Sequence, residues 1–313
     1  MSWILLATVG GFLNAVVAFL DKHIVSDESI MPRPFVYAFY TCLLTGFWVV
    51  IFLAGSLPIL SEWGAPSFAD ISRPDLPTIG MSFLSAYAFF LALLSMYEAL
   101  RKENAVNVIP IIGAISALAA MRLGYEFLEA SLPVNFVWGI VIMALGTMLV
   151  AKSIPNYSVI LNLINSGVFF AVHYTAMKWL FNYVGFNDGF FWSRIGLVLF
   201  ALSLLLIPVC FKKIRGQTKK TSSRAGMLVL VNKVLAGIAA FLVLKATDLG
   251  DMAVVQALDG LKFVFILVIT EIFCRALPTT MARASGNPAE SVRRVLYVSL
   301  ITIGYFILFL GLK

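Results

Sequence analysis

The sequence has few charged residues and few residues suited to catalysis. Only 12% of its 313 residues are charged, against about 25% in a typical soluble domain. Its three cysteines, Cys42, Cys210 and Cys274, have no paired spacing and indicate neither a disulfide framework nor a metal site. It also lacks a Gly-Lys-Ser/Thr phosphate loop and a Ser/His/Asp set, so the sequence indicates neither ATP hydrolysis nor hydrolytic catalysis.

Apolar residues dominate instead. They make up 61% of the chain, and the mean hydropathy is +0.95. This composition predicts an all-α integral membrane protein with several spans. The net charge of +7 comes from basic residues in short loops, so a lipid bilayer is the expected partner and nucleic acid is not. The first apolar run lacks a basic leader and is expected to be a retained helix.

Ten membrane spans can be drawn between charged or turn-forming residues. Most connections are short, so consecutive spans are expected to pack as antiparallel neighbours. Three longer polar segments, 55–76, 212–224 and 275–293, are expected to be solvated loops, with amphipathic surface helices as the alternative. The predicted spans are 2–20, 34–55, 77–98, 105–122, 136–152, 157–179, 189–211, 225–245, 252–273 and 294–312.

The loops differ in their content of lysine and arginine. Fifteen of these residues lie in loops on the side that contains 212–224, and five lie on the other side. Because basic loops stay in the cytoplasm, this count places 212–224 in the cytoplasm and both termini outside.

A weak internal repeat divides the chain into halves, 1–153 and 154–313. Each half has five predicted spans, and an odd number inverts the second half relative to the first. In inverted repeats, binding sites lie at the repeat interface near the membrane midplane. A glycine, a lysine and a phenylalanine recur at the same spacings, as Gly11, Lys22 and Phe35 and as Gly167, Lys178 and Phe191.

Several short motifs occur in the same order in both halves. The chain therefore resembles the EamA-like family of the drug/metabolite transporter superfamily. The resemblance covers nearly the whole chain and implies ten transmembrane helices, as two inverted five-helix repeats around a central cavity. The motifs are 98–105 (EALRKENA), 123–126 (LGYE), 138–140 (WGI) and 144–147 (ALGT) in the first half, and 245–253 (KATDLGDMA), 270–271 (TE) and 303–304 (IG) in the second.

The chain departs from this family in three respects. Members often carry an arginine early in spans 2 and 7, and here only span 7 has one, Arg194. A proline early in span 4 is matched by Pro110, but span 9 has none. Members usually keep both termini in the cytoplasm, which is opposite to the orientation that the charge count predicts.

Span 9 carries polar residues inside an apolar run. Gln256, Asp259 and Lys262 recur at helical spacing and share one side of a helix. Charge in the middle of a membrane helix costs about 2.5–3.5 kcal/mol per residue, so such residues are expected to face a cavity. The alternative is a structural ion pair of Asp259 with Lys262 or with Lys233 of span 8.

Other spans contribute further polar or aromatic candidates for a substrate-binding cavity. A structural role without substrate binding is the alternative for each type of residue. These roles are helix–helix contacts for the amides and His173, snorkelling to the interface for Lys233 and Arg194, and interfacial belts for the aromatic residues. His173 is also a candidate proton relay. The candidates are Asn14, Tyr87, Asn165, His173, Tyr174, Trp192, Arg194, Asn232 and Lys233.

Together these features predict a secondary transporter that moves small polar or amphipathic metabolites by alternating access. Transport is either coupled to protons, through Asp259 or His173, or uncoupled. The alternative is a flippase for a lipid-linked sugar or polyprenyl phosphate, with Lys233, Lys262 and Arg194 holding phosphate. A lipid-modifying enzyme is less favoured. No cofactor or metal is expected. The protein is expected to be a multi-pass monomer or homodimer in the cell (inner) membrane.

Overall fold

The computed structural model describes residues 2–56, 66–103, 105–129, 134–150, 157–218 and 221–258, together with isolated positions beyond 261. Throughout these residues the chain is helical and contains no strand. A 3₁₀ helix, Phe47–Ser56, continues α2. The α-helices of the described ranges are α1 (Ser2–Ser26), α2 (Pro34–Gly46), α3 (Leu76–Lys102), α4 (Ala105–Phe127), α5 (Val134–Val150), α6 (Tyr157–Val184), α7 (Phe186–Leu204), α8 (Pro208–Thr218), α9 (Ser223–Leu249) and α10 (Met252–Leu258).

Six helical segments of the described chain are long and apolar enough to cross a membrane. The bent pair of α7 and α8 makes a seventh if it is counted as one span. The predicted all-helical class is thereby confirmed, with several helices of membrane-spanning length. Most of predicted spans 9 and 10 lies outside the described residues, so the count of ten stays a prediction.

Predicted span 7 is interrupted. It breaks after Leu204, and α8 leaves at 97° to α7. The backbone N–H groups of Leu205 and Leu206 bond carbonyls only three residues back, and Pro208 has no N–H with which to continue the α-helix. The basic segment 212–224 is therefore not simply a solvated loop, because its first half belongs to α8.

Two lysines cap the ends of neighbouring helices. In α1, Lys22 Nζ donates to the carbonyl oxygens of Leu100 at 2.5 Å and Glu103 at 2.9 Å, where α3 ends. In α6, Lys178 Nζ lies 2.9 Å from Thr247 O and 2.8 Å from Asp248 O, where α9 ends. A cation at a helix C-terminus satisfies orphan carbonyls and opposes the negative end of the helix dipole.

The start of α3 is held by Asp75. One carboxylate oxygen accepts from Thr78 N at 3.0 Å, which is an N-cap contact. The other accepts from Tyr183 OH at 2.7 Å, near the end of α6. The bonds from Thr78 and Tyr183 hold the pKa of Asp75 below its ordinary value, because they stabilise the ionised carboxylate.

Close packing in the bundle leads to a first prediction, at Gly237. A methyl group there would collide with the Trp48 indole, so we expect Gly237→Ala to lower the free energy of unfolding by about 1–3 kcal/mol. Gly226 lies on the same helix with open space around it, and Gly226→Ala should be neutral or stabilising. Thermal unfolding of both variants in detergent tests this; an equal effect of the two changes would contradict the packing.

Candidate functional site

A cavity of about 130 Å³ lies inside the bundle. Five helices contribute the residue at or next to their own midpoint to its wall, so the cavity lies halfway along the bundle. An engineered protein cavity of about 150 Å³ accommodates benzene, so this one has room for several water molecules or one small solute. The midpoint residues are Asn14 of α1, Phe89 of α3, Ser116 of α4, Phe170 of α6 and Ala236 of α9.

A buried ion pair forms one part of the cavity wall. Lys233 Nζ of α9 lies 2.8 Å from Asp21 Oδ1 of α1, and the two side chains are 1% and 4% exposed. Asn232 Nδ2 donates to the same carboxylate oxygen at 2.7 Å. Both Asp21 and Lys233 line the cavity, so a charged pair borders an internal space within an apolar bundle.

Two buried tyrosines complete this network. The Tyr37 hydroxyl of α2 donates to Asp21 Oδ1 and accepts from Asn232 Nδ2 at 2.9 Å. The Tyr97 hydroxyl of α3 accepts from Lys233 Nζ at 3.2 Å, and the ammonium lies 4.2 Å from the centroid of the Tyr37 ring. Four helices, α1, α2, α3 and α9, are joined at this point. We call the set Asp21, Tyr37, Tyr97, Asn232 and Lys233 the Asp21 network.

Asp21 is not among the site residues predicted from the sequence. Predicted span 1 stops at residue 20, whereas α1 continues to Ser26 with Asp21 and Lys22 buried inside it. The missed signal is the apolar stretch Ile24 and Val25 after the charges, which extends the helix. In addition, Asn14 and Asp21 are seven residues apart and therefore lie on one helix face.

Two residues of the cavity wall carry buried polar atoms that have no hydrogen-bond partner. Ser116 Oγ donates to Gln256 Oε1 at 3.2 Å, and Gln256 Nε2 has no partner. Thr45 Oγ1 of α2 is also buried without a partner. Both residues line the cavity. Buried donors of this kind are costly unless water or a ligand reaches them.

The structure brings several of the predicted site residues together. Their role in binding substrate stays a prediction, although their position at the cavity or its polar network is now defined. Asn232 belongs to the Asp21 network. The predicted residues that line the cavity are Asn14, Tyr174, Lys233, Gln256 and Lys262.

Two predicted residues are buried but do not line the cavity. His173 Nδ1 lies 2.9 Å from Ser85 Oγ and 3.1 Å from Ser85 O, so it joins α6 to α3, which is the helix–helix alternative. Arg194 is 2% exposed, and its guanidinium carbon lies 4.9 Å from the Phe190 ring centroid. The three cations that the flippase alternative needs are therefore not all at the cavity.

Three further predicted residues lie away from the cavity. Tyr87 is 50% exposed and packs against Phe200, and Asn165 is exposed on α6. Trp192 Nε1 donates to Ser72 O at 3.1 Å, which joins α7 to the chain before α3. These positions fit an outward-facing or structural role better than a cavity role.

Asp259 lies outside the described residues. The partner proposed for it in span 8, Lys233, is paired with Asp21. Glu126, the last residue of the motif at 123–126, pairs with Arg122 four residues earlier in the last turns of α4. In the part of the chain that the structure describes, no group of three His, Cys, Asp or Glu side chains could hold a metal ion.

Comparison with known proteins gives the fold alone. No protein-family model matches the chain, and no curated protein matches it. A solved structure described only as the crystal structure of a protein is similar over 97% of this chain and 96% of that one, with a TM-score of 0.63 and 16% sequence identity. At that identity the likeness shows a shared overall fold.

Proposed function

We propose that the chain is a secondary transporter that carries a small polar or amphipathic molecule through its central cavity. The main supporting observation is the ion pair of Asp21 and Lys233. The pair is buried and hydrogen-bonded, and it lines an internal cavity that lies halfway along an apolar bundle. Ionisable groups within membrane segments are costly and are typical of substrate or ion pathways. Polar groups around a space large enough for a solute are what such a pathway needs.

The proposed architecture is a ten-span inverted repeat of the EamA-like kind in the cell membrane. The capping lysines support it, because Lys22 in the first helix of one half caps the third helix of that half, and Lys178 does the same for α9, the corresponding helix of the second half. The chain runs in opposite directions through α3 and α9, so the two caps lie at opposite ends of the bundle. This is the relation that an inverted repeat imposes on equivalent contacts.

The Asp21 network gives alternating access a physical basis. It crosslinks α1 of the first half to α9 of the second half through charged groups that are costly to separate in a dry interior. Water or cargo that enters the cavity can replace these contacts and lower that cost. In this proposal, the arriving cargo replaces contacts between the two halves with contacts to itself. The halves can then rotate relative to each other.

The geometry also bears on proton coupling. His173 is bonded to Ser85 and does not line the cavity, so its position does not support a proton relay. Asp21 lines the cavity, and its carboxylate accepts from Tyr37, Asn232, Lys233 and Tyr97. A proton-coupled version of the mechanism would therefore use Asp21 as its carboxylate.

Uptake by proteoliposomes tests the proposed function. The purified chain is reconstituted and offered labelled amino acids, amines, nucleosides and small acids, each with and without a pH gradient. We expect saturable uptake of at least one class above that of protein-free liposomes. Uptake of every class equal to that of protein-free liposomes would count against the proposal, and a response to pH that Asp21→Asn leaves unchanged would exclude Asp21 as the coupling group.

A further inference from the structure

The bend between α7 and α8 places α8 at one end of the bundle. α7 has 19 residues, which at a rise of about 1.5 Å each make it about as long as the roughly 30 Å hydrocarbon layer is thick. α8 leaves it at 97°. Three residues beyond α8, Thr221 Oγ1 donates to Ile30 O at 3.1 Å, in the connection between α1 and α2. With α7 crossing the membrane, the axis of α8 therefore runs along the membrane surface.

One side of α8 packs against the bundle. Ile214 is buried in the same apolar core as the first turns of α2. The Thr218 hydroxyl lies 2.6 Å from the hydroxyl of Tyr40 in α2, and Lys213 Nζ lies 5.9 Å from the centroid of the Phe35 ring, also in α2. These contacts fix the orientation of α8, so the rest of its surface is held in a defined position at the end of the bundle.

Apolar side chains are exposed where α7 turns into α8. Four of them lie within six consecutive positions, and the contacts of α8 with α2 leave them uncovered. An apolar cluster on a helix that lies along the membrane surface is expected to contact the upper part of the acyl chains. The exposed residues are Leu206, Ile207, Val209 and Phe211.

Only positive charges follow these apolar residues. Lys212, Lys213 and Arg215 are exposed on α8, and the sequence has no aspartate or glutamate between Asp188 and Asp248. Within the described ranges, no ion pair joins any of the three to a carboxylate. Positive charge beside an exposed apolar cluster is complementary to a surface that is anionic outside and apolar below.

We propose that the exposed side of 206–215, here called the α8 surface, binds anionic phospholipid. The cationic groups of Lys212, Lys213 and Arg215 contact headgroup phosphates, while the apolar cluster inserts among the acyl chains. A zwitterionic headgroup also carries a phosphate, but its own cation cancels the charge, so the α8 surface prefers a headgroup with net negative charge. This role does not depend on the proposed transport function.

Fluorescence quenching by spin-labelled lipid tests the preference in a bilayer. Val209→Cys is introduced into a chain whose three natural cysteines are replaced by alanine, and the thiol is labelled with a small fluorophore. The full chain is reconstituted with equal amounts of phosphatidylglycerol or phosphatidylcholine, each spin-labelled near the top of the acyl chain. We expect phosphatidylglycerol to associate with the site at least about fivefold more strongly, the factor that one lysine near an anionic surface contributes.

Matched variants locate the binding. Lys212→Gln with Lys213→Gln removes two charges from the α8 surface and should remove most of the preference. Arg101→Gln with Lys102→Gln removes the same charge from exposed residues where α3 ends and should leave the preference unchanged. A fluorophore on the Val234→Cys variant, on the outer face of α9, should be quenched equally by the two lipids. In about 1 M salt the preference should fall, because the Debye length is then about 3 Å.

Four results would overturn the proposal. They are equal association of the two lipids with the labelled α8 surface, a preference that the Lys212 and Lys213 double variant retains, an equal loss in the Arg101 and Lys102 double variant, and loss of the preference in inorganic phosphate but not in chloride of the same ionic strength. The last result would identify free phosphate as the ligand. All four leave the transport proposal as it stands.

Discussion

Replacing Lys233 with methionine is expected to lower the free energy of unfolding by about 3–5 kcal/mol and to abolish transport. The change leaves Asp21 buried with its charge uncompensated, and breaking a buried ion pair from one side has a cost of this order. Methionine keeps most of the length of the lysine side chain, so packing changes little. Equilibrium unfolding by SDS in mixed micelles measures the stability change.

The double variant Asp21→Asn with Lys233→Met separates charge from packing. With both charges removed, the amide oxygen that Asp21→Asn introduces can still accept from Tyr37 and Asn232, which both donate to the Asp21 carboxylate. We expect the double variant to recover most of the lost stability but not transport. Equal losses of stability in the single and double variants would show that the pair does not account for the effect.

Filling the cavity is expected to stop transport with little loss of stability. Ala236 lies at the midpoint of α9 and lines the cavity, and the added ring of Ala236→Phe would occupy most of about 130 Å³. We expect uptake of whichever labelled compound the wild-type protein carries to fall at least tenfold. The initial rate of uptake into proteoliposomes measures this.

Val234 provides a matched control on the same helix. Its side chain is 47% exposed on the outer face of α9, so Val234→Phe adds a ring at the lipid-facing surface. This variant should transport at close to the wild-type rate. Similar rates for the two phenylalanine variants would mean that cargo does not pass through the cavity.

The helical class was predictable from the sequence because apolar runs of membrane-spanning length determine it. The ends of the helices were not, since a charged residue does not end a membrane helix when partners exist across the bundle. Asp21 shows this: span 1 is predicted to end before it, but Asn232, Lys233 and Tyr37 bond its carboxylate inside the bundle. The bend before α8 also depends on local backbone bonding that hydropathy does not reveal.

The candidate site was predictable only in part, because helical spacing defines a face but not its neighbour. The spacing on span 9 indicates a polar face, and Gln256 lies on the cavity wall. On span 6 a similar spacing joins His173 and Asn165, yet Ser85 of α3 bonds His173 and Asn165 is exposed. Which helix packs against each face is decided by tertiary contacts such as those of Gly167 with Ile115.

Accessibility of the cavity to a water-soluble thiol reagent tests the central claim most directly, and it needs no knowledge of the cargo. Cysteine is introduced as Ala236→Cys, and in the control as Val234→Cys, in a chain whose three natural cysteines are replaced by alanine. A charged, membrane-impermeant methanethiosulfonate is then added to either side of sealed vesicles. We expect the thiol of the Ala236→Cys variant to react from both sides and that of the Val234→Cys control to react from neither. A thiol in the Ala236→Cys variant that stays unreactive from both sides would contradict a solute path through the cavity.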